Sequence, residues 1–536
     1  MRPILRFLSA RRLSIVAVVV TLIAYNHFSN GALTDTLFRP PAITEDPPGA
    51  WDDHPVVLLH QKARAEFHAF LARQSKTPDN AENEYRRRYL REPPPGFRQW
   101  VDYALANESP VIDDFDIIAE SVHPFLKYNA EQVNQSVRRA LQQSTTGHNS
   151  ICEFSGGRFG RGCRNWGEPL TRLLGDARGL VPDLELYTNF LDEPSVLLGT
   201  TSTGQQYDGG AESRAQRMWT DLSHQSIATA VAEACRARGE VPKAIAALDD
   251  QFGSNSPLRS RFVSDVKAQK DLCQNPQYAS QHGFVMSPPT FWRLSAEVPM
   301  LSRAAPHPFS DVLFPATHYS LKSSLYSSWS DRSWGAKKNA VYWTGSSTGG
   351  QWSPDTWRKG HRQRLVALAT GKTDAAVDQS RFDVAFTRIV GCAPASVCDD
   401  MFRFFSSGSN TAFDPESRPL RYRFALDVDG NSFSGRFYRL LASRSVPLKI
   451  TIFREWHDER LRPWVHYVPV SVGMEELPEL VQVLTSTATG QKISKSIAEA
   501  GREWYQRAMA PKHQGIYLYR LMLEMARLQD RSREAG

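Results

Sequence analysis

The sequence has no long block of basic residues, although its 64 lysines and arginines outnumber its 57 aspartates and glutamates. The positive charges are spread along the chain and no nucleic-acid recognition module is visible, so we expect no nucleic-acid partner. The absence of a CxxC pair and of His-rich ligand spacing argues against a structural zinc site. With 536 residues, 41% of them hydrophobic, the chain is globular and long enough for two or three domains.

An uncharged hydrophobic run lies near the N-terminus. Residues 13–28 contain no Asp, Glu, Lys or Arg, and residues 1–12 contain four arginines. The run is near the lower length limit for crossing a bilayer, and the arginines favour a cytosolic tail over 1–12. No small-x-small cleavage site follows, so we expect an uncleaved signal anchor over 13–28 rather than a cleaved signal peptide. We then expect a single-pass type II membrane protein of the Golgi or endoplasmic reticulum, with the bulk of the chain in the lumen.

Two weaker features agree with a lumenal address. Asn107 and Asn134 each begin an Asn-x-Ser acceptor for N-glycosylation, which predicts a glycoprotein. The six cysteines are an even number and can pair in an oxidising compartment, although buried free thiols remain an alternative. Closeness in sequence favours Cys152 with Cys163 and Cys392 with Cys398, which leaves Cys235 with Cys273 by elimination. Six cysteines allow many other pairings, and the sequence does not choose among them.

Composition divides the remaining chain. Residues 29–50 are rich in Pro, Thr, Asp and Gly and cannot bury enough apolar surface to fold, so we interpret them as a stem. From Ala340 onward short apolar runs alternate with helical patterns, which predicts a mostly parallel sheet covered by helices. We therefore predict an N-terminal domain over 51–335, a C-terminal α/β domain over 336–490, and a helical C-terminal tail over 491–536.

The stretch LDVDGNSFSGRF, residues 426–437, has three interpretations: a metal site at Asp427 and Asp429, a phosphate-binding loop, or a plain turn. An EF-hand is excluded because the glycine and the closing glutamate are not at the required spacing. An apolar run opens into Gly430 and small polar residues, and hydrophobic residues then recur at helical spacing, so we predict a strand, a turn and a helix. Such a unit presents free N–H groups where phosphates bind, and Arg436, one turn inside the predicted helix, adds a cation.

A second stretch has the same form. VYWTGSSTGG, residues 341–350, is an apolar run that opens into small residues, and a basic helix follows from His361. Two glycine-rich loops at strand ends of one domain favour binding of a single diphosphate.

Several stretches resemble glycosyltransferase family 90, which contains fungal capsule-associated xylosyltransferases and animal protein O-glucosyltransferases. They are KNAVYWTGSSTGG, HRQRLVAL, YRFALDVDGNSFSGRFYRLLASRSVPLKITIFREW and LRPWVHYVPV. PPPGFRQW, IDDFDII, QNPQYASQHGFVMSPPTF and FSDVLFP extend the likeness to the fungal branch, over roughly residues 85–530. The resemblance implies an α/β fold of GT-B type, in which two Rossmann-like domains face a cleft. The C-terminal domain would hold a UDP-sugar and the N-terminal domain would face the acceptor.

The resemblance also implies a set of site residues. Those expected at the diphosphate, nucleoside or sugar are Gly345, Ser346, Ser347, Thr348, Arg362, Gly430, Ser434, Arg436, Glu455 and Trp456. Asp192, in YTNFLDEP, matches the catalytic base, although a turn aspartate is the alternative. A base is needed because a hydroxyl is a poor nucleophile until it loses its proton, and departing UDP needs cations and N–H donors. No metal cofactor is strictly required, and a divalent metal has no support in the sequence.

One position departs from the family pattern, because Thr344 stands where the family's WRGS has Arg. This change removes one contact to phosphate or sugar and is expected to weaken activity or alter donor preference. We predict an inverting glycosyltransferase that moves a sugar from UDP-xylose or UDP-glucose to a hydroxyl of a glycan or glycoprotein. The alternatives are a catalytically inactive carbohydrate-binding or scaffolding relative, and an enzyme that uses another donor or an unrelated nucleotide.

Overall fold

The computed structural model describes most of the chain. The described residues are 46–47, 49–199, 218–240, 262–320, 325–405 and 415–534. The predicted cytosolic tail (1–12), signal anchor (13–28) and most of the stem (29–50) lie outside them. Within the described ranges, no helix is both long enough and apolar enough to cross a membrane. From Asp46 onward the chain forms one compact unit.

The first half of this unit is built on a mixed sheet. Its strands are β1 (Asn149–Ser155), β2 (Arg158–Phe159), β3 (Leu184–Asn189), β6 (Met300–Ser302) and β7 (Val312–Leu313), in the order β2-β1-β3-β6-β7. Strands β3, β6 and β7 run parallel, whereas β1 is antiparallel to β2 and to β3. Strands β4 (Trp219–Asp221) and β5 (Trp292–Leu294) form a separate antiparallel ribbon.

The second half is built on a parallel sheet. Its strands are β8 (Lys338–Ser346), β9 (Phe382–Arg388), β10 (Tyr422–Val428), β11 (Val446–Ile450) and β12 (Val468–Pro469), in the order β12-β11-β10-β8-β9. All four neighbouring pairs are parallel, which confirms the predicted α/β alternation. Every residue of β11 is buried, as expected for a central strand of a sheet covered on both faces.

Fifteen α-helices surround the two sheets within the described ranges. They are α1 (Pro55–Ala72), α2 (Pro78–Tyr89), α3 (Phe97–Ala106), α4 (Asp116–Val122), α5 (Ala130–Gln143), α6 (Gly167–Leu174), α7 (Ala228–Ala237), α8 (Val266–Gln269), α9 (Gly283–Met286), α10 (His361–Ala369), α11 (Ser396–Phe405), α12 (Phe437–Leu441), α13 (Leu477–Ser486), α14 (Ala488–Trp504) and α15 (Pro511–Gln529). Helix α1 begins with a proline at its first position, where the missing N–H costs no hydrogen bond.

The last helix packs in the core of the N-terminal half. The indole N–H of Trp100 donates to the carbonyl of Ile516 at 2.9 Å, and the hydroxyl of Tyr85 donates to the carboxylate of Glu524 at 2.7 Å. Nearly every residue from His513 to Met525 is buried, so α15 is covered on all sides and not only along one stripe. The predicted helical tail is therefore a core element shared with the first half of the chain.

All six cysteines are paired. The disulfides join Cys152 to Cys163, Cys235 to Cys273 and Cys392 to Cys398, and no described cysteine is free. This is the pairing that closeness in sequence favours. The third disulfide closes the turn that follows β9. The first residues of this turn pack against the glycine-rich loop after β8.

Candidate functional site

Two loops meet at the carboxyl edge of the parallel sheet. The chain leaves β8 and turns to one side to form β9, then crosses back to form β10 on the other side, so the strand order reverses between β8 and β10. In open α/β sheets, ligands bind at such a switch point. The end of β8 with the loop that follows it (345–350) and the loop after β10 (429–436) both lie there. The amide of Gly349 donates to the side-chain oxygen of Asn431 at 3.0 Å and joins them.

Glycine at position 349 permits this close approach. Its φ is +112°, and an added Cβ would lie 2.7 Å from the ring of His361 and 3.1 Å from the carbonyl oxygen of Gly430. Gly345 has a similar role, because its added Cβ would lie 2.8 Å from the ring of Trp343. The small residues that suggested a phosphate loop are thus required by packing, whether or not a phosphate binds.

Arg362 holds the two loops together. Its guanidinium donates to the carbonyl oxygens of Ser346 (2.9 Å), Val428 (3.0 Å) and Asp429 (2.7 Å) and to the hydroxyl of Thr348 (2.8 Å). The side chain is buried, and burial together with the nearby charge of Arg436 lowers the pKa of Arg362 to about 9. Most of its N–H groups are therefore committed to the protein, and its role is to shape the edge more than to contact a ligand.

Arg436 supplies the second cation at this edge. It donates to the carbonyl oxygen of Thr344 at 2.7 Å, and its guanidinium lies 5.9 Å from the ring centre of Trp343, which Arg362 also approaches at 5.5 Å. The spacing predicted that Arg436 lies one turn inside the helix, but helix α12 begins only at Phe437, so Arg436 is the residue before the helix. Two arginines against one indole repel each other, and an anion between them would relieve that repulsion.

The hydroxyl-bearing residues of the two loops differ in what they can offer. Ser346 and Thr348 are hydrogen-bonded to each other at 3.1 Å beside Arg362. Ser347 is fully buried, and its hydroxyl donates to the carbonyl and accepts from the amide of Val390, so it anchors the loop to the segment after β9. Ser434 is buried on the second loop.

Glu455 and Trp456 are both buried. The carboxylate of Glu455 accepts from the hydroxyl of Tyr319 at 2.6 Å and lies 3.5 Å from the ammonium of Lys449, and burial raises the pKa of Glu455 to about 7. The ring of Trp456 is 1% exposed and packs 4.9 Å from the ring of Tyr517 in the core. This placement leaves no open face for the predicted contact of Trp456 with a nucleoside or sugar.

The two aspartates of the opening motif support the fold of the edge. Asp427 receives the ammonium of Lys449 at 2.8 Å, and a carboxylate oxygen of Asp429 accepts from the amide of Ile452 at 2.8 Å. Both side chains are at most 1% exposed, and burial raises the pKa of Asp429 to about 7. These contacts match the interpretation of a supported turn better than that of a metal site.

One other group of ligand-type side chains lies close together among the described residues: Glu240, Asp271, Cys273 and His307. The sulfur of Cys273 is bonded to Cys235, so it is not a thiolate ligand. Glu240 and His307 are already joined by a hydrogen bond of 2.5 Å. This group contains none of the predicted site residues.

Residues of the segment before β5, in the N-terminal half of the chain, pack against the carboxyl edge of the parallel sheet. The rings of His282 and His361 stack with centres 4.0 Å apart, and both are buried. One ring nitrogen of His361 accepts from the amide of Gly283 and the other lies 2.8 Å from the carbonyl of Asp429, to which it must donate. His361 is therefore neutral with its proton on Nε2, in accord with the strong lowering of its pKa by burial.

Asp192 lies on the turn that follows β3. The side chain of Asn189 fixes this turn by accepting from the amide of Leu191 and donating to the carbonyl of Glu193. The Asp192 carboxylate is 57% exposed and accepts from Arg303 at 2.6 Å. The neighbouring Glu193 is buried, and burial followed by the charge of Asp192 raises the pKa of Glu193 to about 8.

His318 packs against the loop after β10. Its ring occupies the position that a side chain at Gly435, the neighbour of Arg436, would take, because an added Cβ there would lie 2.0 Å from its Cδ2. Burial and the charge of Arg303 lower the pKa of His318, whereas the charge of Asp192 raises it. Sequence reasoning missed His318 because an isolated histidine in ATHYS carries no spacing signal.

Comparisons with known proteins bear mainly on the second half of the chain. A family model described as glycosyl transferase family 90 matches residues 293–534, which include both loops but not Asp192. The chain is 26% identical over 203 residues to protein O-glucosyltransferase 2 of Danio rerio, covering 37% of this chain and 34% of that protein. It is 31% identical over 111 residues to an O-glucosyltransferase rumi homolog of Aedes aegypti, covering 20% of this chain and 27% of that protein. A rumi homolog of Anopheles gambiae is 37% identical over 93 residues, covering 17% and 23%. The chain therefore spans about a quarter to a third of the length of these curated relatives.

Proposed function

Since residues 293–534 form a glycosyl transferase family 90 domain, we propose that the protein is an inverting, UDP-sugar-dependent glycosyltransferase. In this proposal the sugar moves to a hydroxyl group of a glycan or protein in the secretory pathway. The three relatives are all named as O-glucosyltransferases, which favours UDP-glucose as donor, and UDP-xylose is the other candidate.

One observation carries the proposal: two small-residue loops and two arginines converge at the switch point of the parallel sheet. The diphosphate of UDP would lie against residues 345–348 and 430–436, beside Arg436. Negative charge develops on UDP as the bond to the sugar breaks, and Arg436 is fixed in place by Thr344 before the donor arrives. Arg362 would contribute mainly by holding the loops at the correct separation.

Thr344 affects this edge through its backbone. Its carbonyl oxygen accepts from Arg436, and its hydroxyl lies 3.1 Å from that of Tyr342. A threonine side chain offers no cation to a phosphate, so Arg436 would supply charge that an arginine at position 344 would otherwise share. We therefore keep Thr344 as the residue expected to alter donor preference or rate.

Asp192 is proposed as the general base that removes the proton of the acceptor hydroxyl. Its carboxylate is exposed, and its charge acts on His318, whose ring packs against Gly435 of the second loop. In this proposal the acceptor hydroxyl lies at Asp192 and the diphosphate on the opposite face of the sugar. A base on the face opposite the leaving group is what inversion at the anomeric carbon requires. A sugar between Asp192 and Arg436 would have His318 as a neighbour.

Architecture and location are part of the same proposal. A mixed sheet in the first half and a parallel sheet in the second are compatible with a GT-B arrangement, with the acceptor at the first and the donor at the second. Three disulfides suit an oxidising compartment, which supports a lumenal catalytic region. The signal anchor at 13–28 and a Golgi or endoplasmic reticulum membrane remain proposals from the sequence.

Donor hydrolysis and transfer assays test this function. We expect the purified protein to release UDP from one of UDP-glucose, UDP-xylose and UDP-galactose, and the Asp192→Asn variant to bind UDP without supporting transfer. Binding of UDP without turnover of any donor would favour the inactive carbohydrate-binding or scaffolding relative. Failure to bind UDP at millimolar concentration would remove the proposal.

A further inference from the structure

We infer that Arg303 is the positioning residue of Asp192: it holds one carboxylate oxygen so that the other faces the acceptor hydroxyl. The inference rests on the proposed function and deepens it, because it assigns a role to a residue that neither the motifs nor the family resemblance indicated. Arg303 does not itself touch the reacting atoms in this account.

The sheet topology places the two residues together. Strands β3 and β6 are parallel neighbours, with Tyr187 beside Met300 and Thr188 beside Leu301. The chain therefore leaves both strands at the same edge, towards Asp192 in one case and directly into Arg303 in the other. One guanidinium nitrogen of Arg303 donates to the carbonyl of Leu191 at 2.7 Å and to Oδ1 of Asp192 at 2.6 Å.

The guanidinium is itself held in place by an aromatic cluster. It lies 5.4 Å from the ring centre of Trp166, which packs against Phe190 at 4.4 Å and Phe314 at 5.3 Å. The Arg303 side chain is only 11% exposed, compared with 57% for Asp192. An arginine fixed by stacking presents its N–H groups in one orientation, which a lysine at the same place would not do.

The turn has anchors other than the bond from Arg303 to the carbonyl of Leu191. Asn189 bonds to the backbone of Leu191 and Glu193, and the carboxylate of Asp311 accepts from the amides of Ser195 and Val196. The backbone of the turn is thus fixed on both sides of Asp192 by other side chains. Removing the guanidinium should free the Asp192 side chain to rotate while leaving the turn folded.

A positioning role predicts a split between the kinetic constants. Loss of the Arg303 guanidinium should lower kcat for transfer, because the Asp192 carboxylate, now bonded to Arg303 at 2.6 Å, is no longer held in one orientation. The KM for the UDP-sugar should stay almost unchanged, because the donor is proposed to bind at the other loops. A purely structural role would weaken donor binding and activity together.

Steady-state kinetics of the full-length protein test the inference. For Arg303→Gln we expect kcat to fall by about 10- to 100-fold, as for a misplaced catalytic group, with the KM for the UDP-sugar changed by less than about twofold. Arg303→Lys should retain the charge and show a smaller loss of kcat. The matched control is Arg164→Gln, because Arg164 lies 4.4 Å over Phe190 of the same cluster but bonds to Gly147, and it should behave as wild type.

Two results would overturn the inference. Wild-type kcat in Arg303→Gln would show that Asp192 needs no positioning. Loss of UDP affinity and of thermal stability in Arg303→Gln, in step with the loss of kcat, would show that the residue supports the fold. If the wild-type protein transfers sugar and Asp192→Asn does not, either result excludes only the role of Arg303. If the wild-type protein is inactive with all three donors, the proposed function is excluded as well.

Discussion

Replacing Arg436 by glutamine separates its role in binding UDP from its role in the fold. A charged hydrogen bond to a phosphate contributes about 1.5–3 kcal/mol, and the lower part of this range applies because the side chain is only half-buried. We therefore expect the affinity for UDP to fall by about 10- to 40-fold. Arg362 is not able to compensate, since most of its N–H groups already bond to the two loops.

The same substitution should change the stability of the unliganded protein little. It removes one hydrogen bond to Thr344, which is destabilising, and it removes the repulsion that contributes to the lowered pKa of Arg362, which is stabilising. Isothermal titration calorimetry with UDP and thermal unfolding without ligand measure the two effects separately. Arg358→Gln is the control, because Arg358 is an exposed arginine 4.0 Å over the ring of Trp357 and outside both loops. Unchanged UDP affinity in Arg436→Gln would refute the placement of the diphosphate.

Three further substitutions test other parts of the site. Asp192→Asn should abolish transfer and leave UDP affinity unchanged by calorimetry, and an active variant would exclude Asp192 as base. Gly435→Ala should displace His318, because the new Cβ would lie 2.0 Å from its ring, and should therefore lower kcat in the transfer assay. Gly160→Ala is the control, because its added Cβ meets no atom within 4 Å and should leave kcat unchanged. Burial raises the pKa of Glu193 to about 8, so the native state holds the Glu193 proton more tightly than the unfolded chain does. The stabilising contribution of this protonated side chain is therefore complete at acid pH and is lost as the pH rises to about 8. The Glu193→Gln variant should accordingly lose less stability than the wild type between acid and alkaline pH, as measured by thermal unfolding. Parallel plots of stability against pH for the two proteins would contradict this.

The parts of the fold that follow from local pattern were accessible from the sequence. The strands of the parallel sheet are short, almost continuous apolar runs separated by helical spacing, and each element signals its type without reference to its neighbours. The disulfides joining Cys152 to Cys163 and Cys392 to Cys398 close short loops, so sequence distance alone favours them.

The parts that depend on contacts between distant segments were not accessible. Arg362 resembles a ligand-binding residue in sequence, and only the packed structure shows that it bonds to the loops after β8 and β10. Trp456 follows a buried glutamate in a motif that suggests a ligand, but helix α15 returns from the end of the chain and covers its ring. Arg303 and His318 have no motif at all, and their positions follow from the pairing of β3 with β6 and from the absence of a side chain at Gly435.

A crystal structure of the protein with bound UDP tests the central claim most directly. The account predicts that the diphosphate lies between residues 345–348 and 430–436, within hydrogen-bond distance of Arg436, with Asp192 across the same cavity. A diphosphate bound elsewhere, or one separated from Asp192 by a closed wall of protein, would contradict it.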